Sequence, residues 1–440
     1  MIIQGFNARK ILNSRKDLTI SIKIKTKDRT FEASSPEGAS KGSNEALPFS
    51  KKGINASIKF ANTLGQKLIK NKIQFNEFQD LKKIESMFHE IDKTKRLELT
   101  GGNTLFAIEA AILKAIAASK KQDVWQFLYE KDKAHNKGAL TLTKAPKTPK
   151  NISTYKNINF PRPLGNCIGG GKHTKELEKP DFQEFLILPC AKSKKIIDNH
   201  YISLQAYKQI KETLKKQDKL FYGKMTDEHA FISSFDNEKI IKLMKNIQTK
   251  IKTKFNENIE IGIDVAASSF FNKKKKVYKY TRLNGKPGTL KTDEQINYIF
   301  SLCKKYNLAY VEDPLDEENF SGFSKLLKKI KKAGLKTLVA GDDLICTNSD
   351  RLKKAIKSKS INATIVKPNQ CGSLLETKKV IDLAKKNNII PIMSHRSGET
   401  PDPILAELAL GWQVPIIKIS VVGIDVNKTN DLIRIERKLR

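Results

Sequence analysis

The sequence predicts an α/β protein: an N-terminal α+β domain followed by an α/β barrel. Two observations carry that prediction. First, apolar runs in the second half end on polar residues: Ile259–Ile263 then Asp264, Leu308–Val311 then Glu312, Leu338–Ala340 then Gly341 and Asp342. The series continues with Ile361–Val366 then Lys367, Ile389–Met393 then Ser394 and His395, and Ile416–Ile417 then Lys418. The polar residues recur roughly every 23–48 residues, the span of a βα unit. Second, amphipathic helical segments fill the intervals, and helix alternating with short buried strand is what a parallel sheet requires. The 440 residues accommodate a barrel of about 250 residues and a second domain.

Taken in order, Ile20–Phe31 carries apolar residues at Ile20, Ile22 and Ile24, the alternation of strands in a small antiparallel sheet. Gly38-Ala39-Ser40-Lys41-Gly42 reads as a glycine-flanked mobile loop. Ala56–Ile73, Phe78–Ile91 and Thr104–Lys120 read as helices, the last Ala-rich and suited to an internal position. Residues 1–140 form the expected N-terminal domain, 141–157 a polar linker carrying Pro146 and Pro149, and 158–440 the barrel. Within the barrel, Phe270–Tyr280 resembles a hairpin and holds the densest basic block, Lys273–Lys276. Thr292-x-x-Gln295 and Ser373-x-x-Glu376 fit capping boxes. Phe323, Leu326, Leu327 and Ile330 make an apolar helical stripe, with Gly334 as its stop.

Composition narrows the function classes. No stretch approaches the roughly 18–20 consecutive apolar residues of a membrane span, and Met1-Ile2-Ile3-Gln4 begins no signal peptide. Five scattered cysteines without a C-x-x-C pair argue against a disulfide framework or zinc site and fit a cytoplasmic protein. The net charge is +35, and with 11 arginines among 82 basic residues it is almost all lysine. The lysines run along most of the chain, as on a solvated surface. Nucleic-acid binding is the sharper alternative, and either way the field would concentrate a phosphorylated substrate.

The strand-end residues carry the chemistry. Ends of parallel strands converge on one mouth of a barrel, where such enzymes keep their active sites. Asp264, Glu312 and Asp342 are hard oxygen donors that repel unless a cation lies between them, and Mg²⁺ suits such a set. Lys367, next to positive neighbours, would be pushed toward the neutral amine of a general base. An ion pair without metal is the plainer reading of these charges. Ser394-His395-Arg396-Ser397-Gly398-Glu399-Thr400 offers Arg396 as a planar fork, with Ser397 as a donor, for phosphate. Gly169-Gly170-Gly171-Lys172-His173 is a glycine-rich loop that is not a P-loop.

In this order the residues resemble enolase across nearly the whole chain. The resemblance rests on Ala8-Arg9-Lys10-Ile11-Leu12-Asn13-Ser14-Arg15, Pro36–Ser40, Gln183-Glu184-Phe185, Val311–Leu315, Gly341–Leu344, Lys367–Leu374, Ser394–Thr400 and Leu432–Glu436. It implies an enolase-type barrel whose first units depart from strict βα alternation. It also implies two Mg²⁺ per site, reversible dehydration of 2-phosphoglycerate to phosphoenolpyruvate, and a homodimer. Asp264, Glu312 and Asp342 would hold the tighter Mg²⁺, and Ser40 would help hold the second when its loop closes. Lys367 would take the C2 proton, and Glu228 helped by Glu184 would protonate the leaving hydroxide. Lys418 would face the substrate carboxylate, His395, Arg396 and Ser397 would bind substrate, and His173 would close over it.

Departures cluster on the acid side. The family's G-D-E-G-G is Thr226-Asp227-Glu228-His229-Ala230 here, without the two glycines that follow the glutamate. The His173–Glu184 stretch is two residues longer, Ala266-Ala267-Ser268-Ser269 replaces A-A-S-E, and Gly423-Ile424-Asp425-Val426 replaces R-S-x-R. Two alternatives therefore stand beside enolase: a related lyase with an altered acid side, and a weakly catalytic enolase-fold protein binding nucleic acid through its basic surface.

Overall fold

The computed structural model describes residues 1–39, 42–136, 155, 158–283 and 285–440, without the side chains of residues 133–136. The N-terminal domain opens with an antiparallel meander of β1 (Gly5–Leu12), β2 (Leu18–Lys25) and β3 (Thr30–Ser34). Ile20, Ile22 and Ile24 of β2 are fully buried, as their alternation predicts. Strand β1 is absent from the sequence reading because most of its side chains are at least partly exposed, so no apolar alternation marks it. Helices Ile54–Lys70, Lys82–Ile91, Gly102–Ser119 and Val124–Asn136 follow. Gly102–Ser119 is long and apolar enough by composition to cross a membrane, which the sequence reading did not expect. It is 83% buried inside the protein, and its all-round apolar surface serves the core.

The second domain contains β4 (Arg162–Gly169), β5 (Glu184–Cys190), β6 (Phe231–Ile232) and β7 (Asn258–Asp264). A meander of β8 (Phe271–Asn272), β9 (Val277–Leu283) and β10 (Lys286–Lys291) follows, confirming the hairpin. Then come β11 (Tyr310–Glu312), β12 (Leu338–Gly341), β13 (Ala363–Val366), β14 (Ile390–Ser394) and β15 (Ile416–Lys418). The barrel closes in the order β4-β5-β7-β11-β12-β13-β14-β15 and back to β4, with β6 paired on β4. An apolar cluster drawn from these strands, including Leu164, Leu186, Ile365, Ile392 and Ile416, fills it.

One strand breaks the parallel rule and thereby shapes the site. Strand β5 runs antiparallel to both β4 and β7. It therefore starts at the mouth, and its first residue, Glu184, registers with Asp264, which registers with Glu312. On the other side Ser394 registers with Lys418.

Helix signals fared unevenly. Helix Phe320–Lys332 buries Phe323, Leu326, Leu327 and Ile330, and Gly334 just beyond it takes φ +70°. Ser373 Oγ accepts from Glu376 N at 2.8 Å, but the Glu376 carboxylate turns to Ser349 N instead of closing the box. The Thr292 box does not form. Helix Thr292–Tyr306 is capped at Lys291, whose N–H donates to Glu294, while Gln295 is buried between the Tyr280 hydroxyl and Pro314 O. In the expected linker only Tyr155 is described, and it is buried against Trp125 with its hydroxyl on Glu130. All five cysteines are free.

Candidate active site

The mouth collects Asp264, Asp342, Lys367, His395, Arg396, Ser397 and Lys418 with Glu184, Glu228 and His173 around one polar cavity. Glu312 lies at the same level, against Lys418. The Lys418 ammonium, almost fully buried, is 2.8 Å from Glu184 Oε2, 2.8 Å from Glu312 Oε2 and 3.6 Å from Asp264 Oδ2. Burial disfavours its charge, but these carboxylates outweigh burial and raise its pKa well above the usual lysine value. Lys367 Nζ is 2.5 Å from Asp342 Oδ2. Burial opposes the charge here too, but pairing with Asp342 outweighs it and raises the Lys367 pKa.

Both lysines are thus ion-paired, yet they leave Asp264 and Glu312 under-compensated. Burial, then Glu312, drives the Asp264 pKa well up. Glu312 is raised by burial although Lys418 opposes it, and its buried Oε1 has no hydrogen-bond partner among the described residues. Asp313, Asp342 and Asp343 bring oxygens within 4.8 Å of one another, and Asp343 is pushed up to about 7 by burial and Asp342. Crowded, under-compensated hard oxygens with an orphaned carboxylate atom fit a divalent cation, and Mg²⁺ among them.

On the opposite wall, His173 Nδ1 lies 3.7 Å from Glu184 Oε1 and 3.9 Å from Glu228 Oε2, and makes no hydrogen bond among the described residues. Burial would raise the Glu184 pKa, but Lys418 and then His173 hold it down at about 2. Glu228 accepts from Asn166 Nδ2 at 3.2 Å. Where the family has two glycines after the glutamate, this loop turns at His229. His229 takes φ +60°, donates its N–H to Thr226 O at 2.9 Å, and receives the Tyr207 hydroxyl on its carbonyl. Gly423 makes room for it: a Cβ there would stand 2.5 Å from His229 Nδ1.

The N-terminal domain leans over the third side. Ala39 N donates to Ser397 Oγ at 2.7 Å, and a Cβ on Gly38 would stand 2.0 Å from Arg396 Nη2. Arg396 pairs with Glu45 Oε2 at 2.9 Å and donates to Asn369 Oδ1 at 3.2 Å. Ser40 lies outside the described residues.

Several supporting residues escaped sequence reasoning. Thr347 takes φ +49°, rare for a β-branched residue. Its hydroxyl accepts from Lys367 N at 2.8 Å and donates to Gln370 Oε1 at 2.7 Å, while Gln370 Nε2 donates to Asp342 Oδ1 at 3.0 Å. No pattern around Thr347 signals this. Gln370, in contrast, stands within the Lys367–Leu374 motif, which the sequence reading left without a role for it.

Fold and site define an α/β-barrel protein whose C-terminal mouth joins lysines to acidic groups able to hold a metal. Residues 157–440 match the family model described as enolase, C-terminal TIM barrel domain, and residues 3–128 the one described as enolase, N-terminal domain. A protein named enolase from Methanosphaera stadtmanae is 34% identical over 440 residues, covering all of this chain and 97% of its own. The enolases named from Methanothermobacter thermautotrophicus and Picrophilus torridus are each 32% identical, covering 100% and 99% of this chain and 97% and 99% of their own. The chain belongs to the enolase family, and this supports an enolase-type lyase.

Proposed function

We propose that the chain interconverts 2-phosphoglycerate and phosphoenolpyruvate by reversible, Mg²⁺-dependent dehydration. The two-sided cavity supports this best: Lys367 and the metal-type carboxylates stand on one side, and Glu184, Glu228 and His173 on the other. Asp264, Glu312 and Asp342 would hold one Mg²⁺ and Ser40 would contribute to a second; the metals would supply positive charge against the substrate carboxylate as proton loss makes it a dianionic enolate.

Lys367 takes the proton from C2. Burial, Arg396 and Lys418 favour the neutral amine that this step needs, against Asp342 and Glu312, two of the residues that would hold the Mg²⁺. Lys418 faces the developing enolate from the barrel floor. Hydroxide leaves C3 only with a proton, which Glu228 gives with Glu184 beside it. Arg396 and Ser397, with His395, bind the phosphorylated end, and the Gly38–Ala39 segment over them excludes water. The same reading places the protein in the cytoplasm as a glycolytic homodimer. Mg²⁺-dependent exchange of the C2 proton with solvent, measured alongside turnover, tests it; retained exchange without turnover would move the assignment to a lyase with a different acid step.

A further inference from the structure

We infer that Asp425 is a positioning residue that fixes the His395 ring as a cationic donor toward the anionic group bound beside Arg396 and Ser397. The inference rests on the reading of the mouth given above. The sequence marks Gly423–Val426 only as a loss of arginines; the structure shows what stands there instead. Asp425 Oδ2 is 2.5 Å from His395 Nδ1, and both side chains are almost fully buried. With Nδ1 engaged, Nε2 is the nitrogen left for a ligand, and His395 lines the cavity.

Asp425 is itself held from two more sides. Ser420 N donates to Oδ2 at 2.9 Å, and Lys428 Nζ is 2.9 Å from Oδ1. Lys428, 1% exposed, also reaches Glu399 Oε2 at 2.9 Å, and Glu399 Oε1 accepts Arg396 N at 3.0 Å. A buried chain therefore runs from the His395 ring through Asp425, Lys428 and Glu399 to the Arg396 backbone. It ties two adjacent cavity residues to the start of the final helix, Val426–Leu439. Asp425 and Glu399 carry two negative charges against one on Lys428, and a protonated His395 closes the balance. Glu228 and Glu184 also face His395 and favour its charge, while Lys367, Arg396 and Lys418, which line the same cavity, oppose it. Burial alone would lower the ring's pKa, but Asp425, then Glu228 and Glu399, raise it to about 9.

The test uses the full chain. Histidine NMR titration of wild type and Asp425→Asn, with the His395 signal assigned by its loss in His395→Gln, is expected to show the midpoint falling from about 9 toward 6.5. With 2-phosphoglycerate, Asp425→Asn is expected to raise KM about tenfold near pH 8, the worth of one charge-assisted hydrogen bond, and much less near pH 6, where the ring regains its proton. Asp425→Glu, which keeps the charge, is expected to restore most of the loss. An unmoved midpoint, or an equal KM loss at both pH values, would overturn the inference. Should Asp425→Asn fail to fold, the wild-type titration decides, and a midpoint below about 7.5 overturns it. The NMR arm needs no turnover. If wild type fails to convert 2-phosphoglycerate, the function reading falls, while the His395 midpoint and its response to inorganic phosphate still judge the Asp425 inference.

Discussion

Replacing Glu312 by Gln separates a metal ligand from an ion-pair partner. Glu312 Oε2 receives Lys418 Nζ and the Tyr310 hydroxyl, while Oε1 has no partner among the described residues. The isosteric amide keeps an acceptor for both donors. It also removes a charge that burdens Asp264, and Lys418 keeps Glu184 at 2.8 Å and Asp264 at 3.6 Å. In chelator, Glu312→Gln is therefore expected to change folding stability by no more than about 1 kcal/mol, since a buried charge pair barely repays its desolvation. Wild type in Mg²⁺ at about 100 times its dissociation constant should gain about 2.7 kcal/mol, because the ion binds only the folded chain. The variant should lose most of that gain. Urea unfolding with chelator and with Mg²⁺ reads both quantities. A variant that loses more than about 3 kcal/mol in chelator yet keeps the full Mg²⁺ increment would refute the reasoning and make Glu312 a structural partner of Lys418.

Three further outcomes are expected. Thr347→Val keeps the shape but strands Lys367 N and Gln370 Oε1, so it should cost about 1–3 kcal/mol in urea unfolding and lower kcat more than it raises KM; equal effects on kcat and KM would count against a role through Lys367. Glu407 is raised from 4.5 to about 7 by burial and Asp431, so between those pH values the folded chain keeps a proton that the unfolded chain has released. Wild-type stability therefore falls as pH rises through that window, and Glu407→Gln should be the more stable by about 1–3 kcal/mol at pH 8 and nearly equal at pH 4.5; a difference independent of pH contradicts this. His229→Gly should change stability by less than about 1 kcal/mol, because relief of the left-handed residue is offset by a freer unfolded chain. Its kcat/KM should stay close to wild type, whereas a large gain in activity would show that His229 distorts the Glu228 loop.

Much of the fold was legible because its signals are local. Asp264, Glu312 and Lys418 are the last residues of β7, β11 and β15, and short buried runs announce them. Glu184 carries no such signal, because β5 runs antiparallel and starts with it at the mouth; only the family resemblance pointed there. The Thr292 box misled because Gln295 serves a long-range contact with Tyr280 and Pro314, which local spacing cannot reveal. Lys367 read as a base poised for neutrality, and the structure shows why the sequence could not settle that. The outcome depends on whether Asp342 faces the lysine or a cation, a matter of angstroms at the mouth. Asp425 and Lys428 were invisible as site residues because their value lies in burial and pairing across the final turn.

Ultraviolet detection of phosphoenolpyruvate formed from 2-phosphoglycerate, with Mg²⁺ and with chelator, in wild type and Lys367→Ala, decides whether the barrel mouth carries out this dehydration. The account predicts turnover in Mg²⁺, none in chelator, and a fall of about 10²–10⁴ in kcat when the base is removed. No turnover by wild type in Mg²⁺, or full activity in Lys367→Ala, would contradict it.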